Sequence, residues 1–321
     1  MADRLPLGER VLAGDPRAIA RAISIIEDDS PAAAALVRQL FAHTGGAYLV
    51  GVTGPPGAGK STLVDRMVTD ARAAGETLGV IAVDPTSPFT GGSILGDRLR
   101  MQAHSGDAGV FIRSMATRGN LGGLARTTSD VAVVLDAAGK SIVIVETVGV
   151  GQDEVDIVRT ADISIVVLVP GTGDDVQALK AGIMEIADIY VVNKADRDGA
   201  ERTVTSIESN LALQMFSAGQ WRPPIIRTEA TTGKGVPELW AAIRAFRAHT
   251  AATRQSRLQA RQEFRLREIL GRRFLAHVEA TVLGPGEFDA LVGRIARREL
   301  DPYTAASGVM ARALGQTGEP A

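Results

Sequence analysis

One short loop contains residue types and spacing that suit the binding of phosphate groups. Residues 52–62 read VTGPPGAGKST, with the spacing Gly54-x-x-x-x-Gly59-Lys60-Ser61. Glycines let successive backbone N–H groups curl around phosphate oxygens, which a Cβ would obstruct. A helix beginning near Lys60 would direct its positive end toward the same anion. The sequence therefore predicts a nucleotide phosphate site of the Walker A type.

The last residues of this loop have the clearest predicted roles. Lys60 would reach the β- and γ-phosphates, and the Ser61 hydroxyl would ligate magnesium. Only five of the 35 basic residues are lysines, so a lysine at this position is informative. A purely structural glycine turn would not explain why the loop separates an apolar strand from an amphipathic helix. The predicted phosphate contacts are Gly54, Pro55, Pro56, Gly57, Ala58, Gly59, Lys60, Ser61 and Thr62.

A second motif predicts which base is bound. Asn193, Lys194 and Asp196 follow the apolar run IYVV with the N-K-x-D spacing of GTPases. Asp196 would accept from the ring N–H and the exocyclic amine of guanine, Asn193 would meet the O6 and N7 side, and the Lys194 stem would cover the ring. Adenine lacks that donor pair, and an unmatched buried polar group costs about 1–3 kcal/mol. The motif therefore favours GTP over ATP.

A further segment supports the choice of guanine. Residues 228–239 read TEATTGKGVPEL, which is similar to the loop S-A-x-T-G-x-G of GTPases. Ala230 would offer its backbone N–H to guanine O6. Glu229 stands where serine is usual in that pattern. Both residues are included in the predicted guanine site.

Carboxylates at the ends of apolar runs predict a magnesium site. Glu146 ends the run SIVIVE, and Gly149 follows it in an E-x-x-G spacing that would let its N–H sense a γ-phosphate. Asp84 and Asp97 lie in the segment VDPTSPFTGGSILGDRLRM. From spacing alone, Asp97 is equally well explained as a helix cap or a surface charge. Because magnesium takes oxygen ligands, the predicted set is Ser61, Asp84, Asp97 and Glu146.

The residue that orients the attacking water is missing from its usual place. Ras-like enzymes use a glutamine there, whereas Val150 directly follows Gly149 in this chain. We therefore expect slow intrinsic hydrolysis that a partner accelerates. Residues in loops near the expected γ-phosphate could be recruited, although each could equally be an ordinary exposed residue: Gln152, Asp174 and Lys180.

The pattern of elements predicts how these motifs are positioned. Seven short β-branched runs alternate with helical segments from Tyr48 onward, and several polar motifs follow the runs directly. Ligands bind at the carboxyl ends of strands in open α/β sheets. We predict an α/β fold of the P-loop NTPase kind, with a doubly wound, mostly parallel sheet. Asp15-Pro16 and Ser30-Pro31 each have the pattern of an N-cap followed by proline in the first turn, so two helices are predicted to open the chain. Helical extensions flank the sheet, giving an N-terminal extension at 1–46, a GTPase domain at 47–249 and a C-terminal arm at 250–321.

Composition narrows the functional classes. The formal net charge of −2 gives no general attraction to nucleic acid or to an anionic membrane. No cysteine is present, which excludes disulfides, thiolate zinc sites and cysteine nucleophiles. No apolar run approaches the roughly 20 residues that span a bilayer, and the N-terminus resembles neither a signal nor a transit peptide. We expect a cytoplasmic location, with no nucleic-acid or membrane partner.

Together these segments resemble one known family, the methylmalonyl-CoA mutase-associated GTPases of the MeaB/ArgK type, in the SIMIBI class. The resemblance spans nearly the whole chain. The segments that show it are GPPGAGKST, VDPTSPFTGGSILGDRLRM, ETVGVGQDEVDI, GTGDDVQALKAGIMEIADIYVVNKAD and DPYTAA.

The resemblance implies a GTPase chaperone of an adenosylcobalamin-dependent acyl-CoA mutase, which gates cofactor loading and protects the mutase from inactivation. It implies a homodimer joined through the C-terminal arm, GTP/GDP and Mg²⁺ as ligands, and a cobalamin adenosyltransferase as a further partner. It favours a metal role for Asp97, and it ties Gln152 and Lys180 to partner-stimulated hydrolysis. The residues assigned to catalysis are then Lys60, Asp84, Glu146, Gln152 and Lys180.

Three alternatives compete with this interpretation. A nickel-insertion GTPase would carry clustered His or Cys ligands, whereas the four histidines here are scattered and no cysteine is present. An ATP-dependent protein kinase of an amino-acid transport system would not need the guanine motif. A binding module with an inactive nucleotide site would lack some magnesium ligands, whereas all the candidates are present. The chain also lacks the D-x-H-x-x-G cobalamin motif, so we do not expect it to hold cobalamin itself.

Overall fold

A computed structural model describes residues 5–84, 102–104, 106–116, 123–147, 160–171 and 186–315. The chain divides into two compact units, Met1–Gln255 and Ser256–Ala321. Asp97, Gly149, Gln152, Asp174 and Lys180 lie outside the described residues, so their predicted roles stay predictions.

The first unit is built on one parallel sheet. Within the described residues, seven strands run in the order β3-β2-β4-β1-β5-β6-β7, and each neighbouring pair is parallel. Every predicted apolar run forms a strand, so the expected doubly wound α/β sheet is confirmed. The strands are β1 Tyr48–Thr53, β2 Leu78–Asp84, β3 Val110–Ala116, β4 Ile142–Glu146, β5 Ile163–Leu168, β6 Ile189–Asn193 and β7 Ile225–Thr228.

Helices cover both faces of this sheet. Within the described residues, the α-helices of the first unit are α1 Leu7–Leu12, α2 Pro16–Glu27, α3 Pro31–Phe41, α4 Lys60–Ala73, α5 Gly123–Ala137, α6 Ala200–Ala212 and α7 Val236–His249. The α4 and α7 helices share one apolar core with the sheet, whereas α1–α3, α5 and α6 bury their apolar residues on the other face. Burial on both faces explains why β4, β5 and β6 are apolar at almost every position.

The N-terminal helices begin at the predicted caps. Asp15 accepts hydrogen bonds from the Arg17 and Ala18 N–H groups, and Ser30 accepts one from Ala32. Both caps precede a proline in the first helical turn, as the sequence predicts. The six-residue helix α1 was not predicted, because it is short and no side chain caps its start at Pro6.

The second unit is helical within the described residues, and the predicted boundaries of the arm, 250–321, stay a prediction. It contains most of α8 Arg254–His277, a wider turn at Val278–Val282, α9 Glu287–Ala296 and α10 Pro302–Ala313. Its exposed large apolar side chains include Leu266, Leu270, Phe274, Leu275 and Phe288. Dimerisation through this arm stays a prediction. Among the residues described, no helix is both long and apolar enough to cross a membrane.

Candidate active site

The predicted phosphate loop joins the end of β1 to the start of α4. Gly54 has φ 145°, and a Cβ at this position would clash with the Val167 carbonyl of β5. Gly59 has φ 83° directly before α4, where a Cβ would lie 2.6 Å from Asn193 Nδ2. Glycine is therefore required at both positions by backbone conformation and by the close approach of neighbouring elements.

The Lys60 side chain folds back over this loop. Its Nζ donates to the carbonyl oxygens of Gly54 at 2.6 Å and Pro55 at 3.0 Å, and the residue is only 6% exposed. Lys60 is also the first residue of α4, so the positive end of the helix and the ammonium group lie together. This arrangement provides a concentrated positive field for a phosphate anion.

A serine and a carboxylate meet beside the loop. The Ser61 hydroxyl donates to Glu146 Oε1 at 2.6 Å. Glu146 ends β4, where it is aligned with Val52 of β1 and Ala82 of β2, and it is 6% exposed. Both side chains offer oxygen atoms that can ligate a metal ion, so the pair fits the ligand chemistry that magnesium prefers.

Asp84, a third predicted metal ligand, ends the neighbouring strand. Strand β2 pairs directly with β4 and has Asp84 as its last residue. The carboxyl ends of parallel strands meet at one edge of the sheet, so the backbones of Asp84 and Glu146 lie at the same edge. Participation of the Asp84 side chain stays a prediction.

Asn193 connects the base motif to the phosphate loop. Its Nδ2 donates to the Ala58 carbonyl at 2.8 Å, and its Oδ1 accepts from Thr228 Oγ1 at 3.0 Å and from the Ala230 N–H at 3.1 Å. Asn193 is 1% exposed at the end of β6. Its side-chain amide is thus bonded within the protein and fixes two loops relative to each other.

The other two residues of the N-K-x-D motif lie at the surface of the same site. Lys194 Nζ donates to the Gly57 carbonyl at 2.8 Å, which lays the lysine stem across the space beside the phosphate loop. Lys194 has φ 56°, a left-handed conformation that turns the chain sharply after β6. Asp196 follows this turn and is exposed.

We call residues 229–235, the segment after β7, the base loop. Glu229 pairs with Lys234 across it at 2.7 Å, so the residue that replaces the usual serine closes the loop on itself. This hydrogen bond is the main cause that raises the pKa of Lys234, and the charge of Asp196 adds to the shift. The Ala230 N–H, predicted to bind guanine O6, donates to Asn193 instead. A contact between Ala230 and guanine therefore stays a prediction.

Arg66 is a part of the site that the sequence motifs did not identify. It lies on α4, and its guanidinium donates to the carbonyl oxygens of Ala230 at 3.2 Å and Thr231 at 3.0 Å. The bonded residues are 164 and 165 positions apart, and no spacing rule links them. In the sequence, the only indication of this contact was that Arg66 is a charged residue on the helix that follows the phosphate loop.

Comparison with known proteins identifies the family. A family model described as "Methylmalonyl Co-A mutase-associated GTPase MeaB" matches residues 19–282. The chain belongs to this family. The MeaB-family chain is accordingly a GTPase that binds guanine nucleotides, as the motifs predict.

Individual relatives of the MeaB-family chain agree with this identification. A Pyrococcus abyssi protein described as a GTPase is 51% identical over 315 residues, covering 96% of both chains. GTPase ArgK of Escherichia coli is 38% identical over 257 residues, covering 78% of this chain and 77% of that protein. A crystal structure described as an LAO/AO transport system kinase has a TM-score of 0.72 and 26% identity, covering 95% of both chains.

Proposed function

We propose that this MeaB-family GTPase is a chaperone of an adenosylcobalamin-dependent acyl-CoA mutase, with methylmalonyl-CoA mutase as the first candidate. In this role it gates cofactor loading and protects the mutase from inactivation. The description of the matched family supports the mutase partner. The nucleotide-dependent part of the proposal rests on the contact between the Ser61 hydroxyl and Glu146 at 2.6 Å beside Lys60.

The phosphate end of GTP is assigned to the loop 54–62. Lys60 would exchange its bonds to the Gly54 and Pro55 carbonyls for bonds to the β- and γ-phosphates. Ser61, Asp84, Asp97 and Glu146 are the proposed magnesium ligands. When bound, the metal would neutralise charge that develops on the phosphate oxygens.

The guanine end is assigned to Asp196, Lys194, Asn193 and the base loop. Asp196 is exposed, so its carboxylate is available to accept from the ring N–H and the exocyclic amine. Asn193 is engaged within the protein and would act chiefly by holding the loops in place. Glu229 and Ala230 are included in the proposed guanine site because they form the base loop.

We expect the chain alone to hydrolyse GTP slowly, because Val150 stands where Ras-like enzymes carry the glutamine that orients the attacking water. Gly149 would sense the γ-phosphate, and we assign Gln152 and Lys180 to positions recruited when the mutase binds. Homodimerisation through residues 250–321, a cobalamin adenosyltransferase as a further partner and a cytoplasmic location complete the proposal.

The decisive experiment measures GTP turnover with and without purified methylmalonyl-CoA mutase. We expect slow basal hydrolysis, acceleration by the mutase, and mutase binding that differs between GDP and a non-hydrolysable GTP analogue. The Lys60→Ala variant is the control for contaminating hydrolases, because it should lose turnover in both conditions. If the mutase neither binds nor alters turnover in any nucleotide state, the chaperone proposal is wrong even though the GTPase assignment remains.

The name of the related crystal structure supplies a second candidate, an ATP-using kinase of a transport system. The same assay tests it with ATP in place of GTP. Tighter binding of ATP than of GTP would favour the kinase. Because Asp196 would face an adenine ring with no matching pair of donors, we expect GTP to bind more tightly.

A further inference from the structure

The base loop is held from outside by two side chains that come from different elements. Asn193 of β6 accepts from the Ala230 N–H at 3.1 Å. Arg66 of α4 donates to the next two carbonyl oxygens, those of Ala230 and Thr231. The first contact belongs to the N-K-x-D motif, whereas Arg66 belongs to none of the motifs in this sequence.

We propose that Arg66 is a positioning residue for guanine recognition, which orients the base loop from the helix that carries Lys60. This inference rests on the proposed guanine site. A planar guanidinium can hold two acceptors in a fixed geometry, and here the acceptors are the carbonyl oxygens of consecutive peptide groups. The contact therefore fixes the orientation of two peptide planes as well as the distance between the loop and α4.

The orientation of those planes decides which N–H groups face a ligand. In a trans peptide the C=O and the N–H point in opposite directions, so Arg66 turns the N–H groups of Thr231 and Thr232 away from itself. The Thr232 N–H donates to the Glu229 carbonyl at 3.0 Å and closes the turn. The Thr231 N–H makes no hydrogen bond within the described part of the chain, and Thr231 is exposed. This donor is available to a guanine oxygen.

The location of Arg66 predicts a selective effect. Among the described residues, its hydrogen bonds to the base loop go to the carbonyls of Ala230 and Thr231, whereas the phosphate contacts are assigned to the loop 54–62. Removing the Arg66 side chain should therefore reduce the preference for guanine, while the rate of phosphate hydrolysis at saturation stays nearly the same. A purely structural arginine would instead affect stability or turnover without affecting base preference.

The test compares full-length wild type, Arg66→Ala, Arg66→Lys and Arg72→Ala. Arg72 is the matched control, because it lies on the same helix and bonds Asp107 and the Glu76 carbonyl instead of the base loop. Calorimetric titration gives Kd for GDP, and competition gives Kd for ADP. Steady-state GTP hydrolysis gives KM and kcat, and thermal melting of the nucleotide-free protein reports stability.

We expect Arg66→Ala to weaken GDP binding by about tenfold with little change for ADP, so that the preference for guanine contracts. KM should rise while kcat stays within about twofold, and Arg66→Lys should recover part of the affinity. Unchanged GDP affinity, an equal loss in Arg72→Ala, or a fall in kcat without a change in base preference would overturn the inference.

Asp196→Ala separates this inference from the proposed function. If Asp196→Ala weakens GDP binding and Arg66→Ala does not, only the role of Arg66 is wrong. If neither variant changes GDP affinity, the proposed guanine site itself is wrong.

Discussion

The Ser61 hydroxyl donates to Glu146 Oε1 at 2.6 Å, and this contact joins the start of α4 to the end of β4. The two residues are 85 positions apart in the chain. Parallel strand order brings them together, because β4 lies between β1 and β2 in the sheet. Two oxygen atoms that can ligate a metal ion therefore lie together near the carboxyl ends of β1, β2 and β4.

Glu146→Gln should increase the magnesium concentration that turnover requires, because a neutral amide is a weaker ligand and cannot offset the metal charge. We expect the apparent magnesium affinity to fall by at least about tenfold, since even residues that only support a metal ligand typically contribute that much. The measurement titrates Mg²⁺ against the rate of GTP hydrolysis. Glu76→Gln is the matched control, since Glu76 also accepts from a serine, Ser141, at 2.6 Å but is exposed elsewhere. An unchanged magnesium requirement in Glu146→Gln would exclude Glu146 as a ligand.

Asn193→Ala should disturb both halves of the nucleotide site at once. The change removes three hydrogen bonds and leaves the carbonyl of Ala58 and the N–H of Ala230 without their partner. We expect a loss of about 1–3 kcal/mol in the free energy of unfolding, measured with urea, together with weaker GDP binding. Thr228→Val is the control, since it removes only the contact of Thr228 with Asn193. Equal losses in the two variants would contradict a bridging role for Asn193.

Asp196→Asn should change the preferred base. Guanine presents two donors on this edge, whereas xanthine presents one donor and one carbonyl oxygen, which an amide matches with its own acceptor and donor. We expect GDP affinity to fall and xanthosine diphosphate affinity to rise, both measured by calorimetry. Melting temperature should hardly change, because Asp196 is exposed. A variant that keeps its preference for GDP would place the guanine contact elsewhere.

The sequence predicted the parts of the site that depend on local pattern. Apolar runs such as IYVVN indicated strands buried on both faces, and the Walker A spacing placed glycine at Gly54 and Gly59, where a Cβ would clash. The positions of Asp15 and Ser30 before proline marked helix starts. Each of these features is determined by residues that lie within a few positions of one another in the sequence.

The rest depends on contacts between distant segments. Arg66 bonds to main-chain oxygens, which every residue has, so its partners leave no signature in the sequence. The engagement of the Ala230 N–H by Asn193 depends on the spacing of β6 and β7. Strand order was likewise not predicted, because apolar runs show burial without showing which strands are neighbours.

Asp136→Ala should loosen the connection between the N-terminal helices and the sheet. Asp136 lies on α5 and accepts from the N–H groups of Gly45, Gly46 and Ala47 at 2.6, 3.2 and 2.9 Å. Removing it leaves three donors without their acceptor, so we expect about 1–3 kcal/mol less stability against urea. Asp136→Asn should lose less, because its amide oxygen can still accept. If both variants match wild type, solvent must satisfy these donors equally well.

Acid should weaken the contact between Asp107 and Arg72. The Arg72 guanidinium, followed by the Gly109 N–H, lowers the pKa of Asp107 below its ordinary value of 3.8. Because the folded state favours the ionised form, this stabilisation is complete well above pH 3.8 and is lost as the pH falls through the lowered value. The stability difference between wild type and Asp107→Asn should therefore be largest near neutral pH and shrink in acid, as measured by urea unfolding from pH 7 to pH 3.

In an Arg72→Ala background the same substitution should have a much smaller and nearly pH-independent effect. A difference that grows as the pH falls would show that Asp107 is not stabilised in its ionised form.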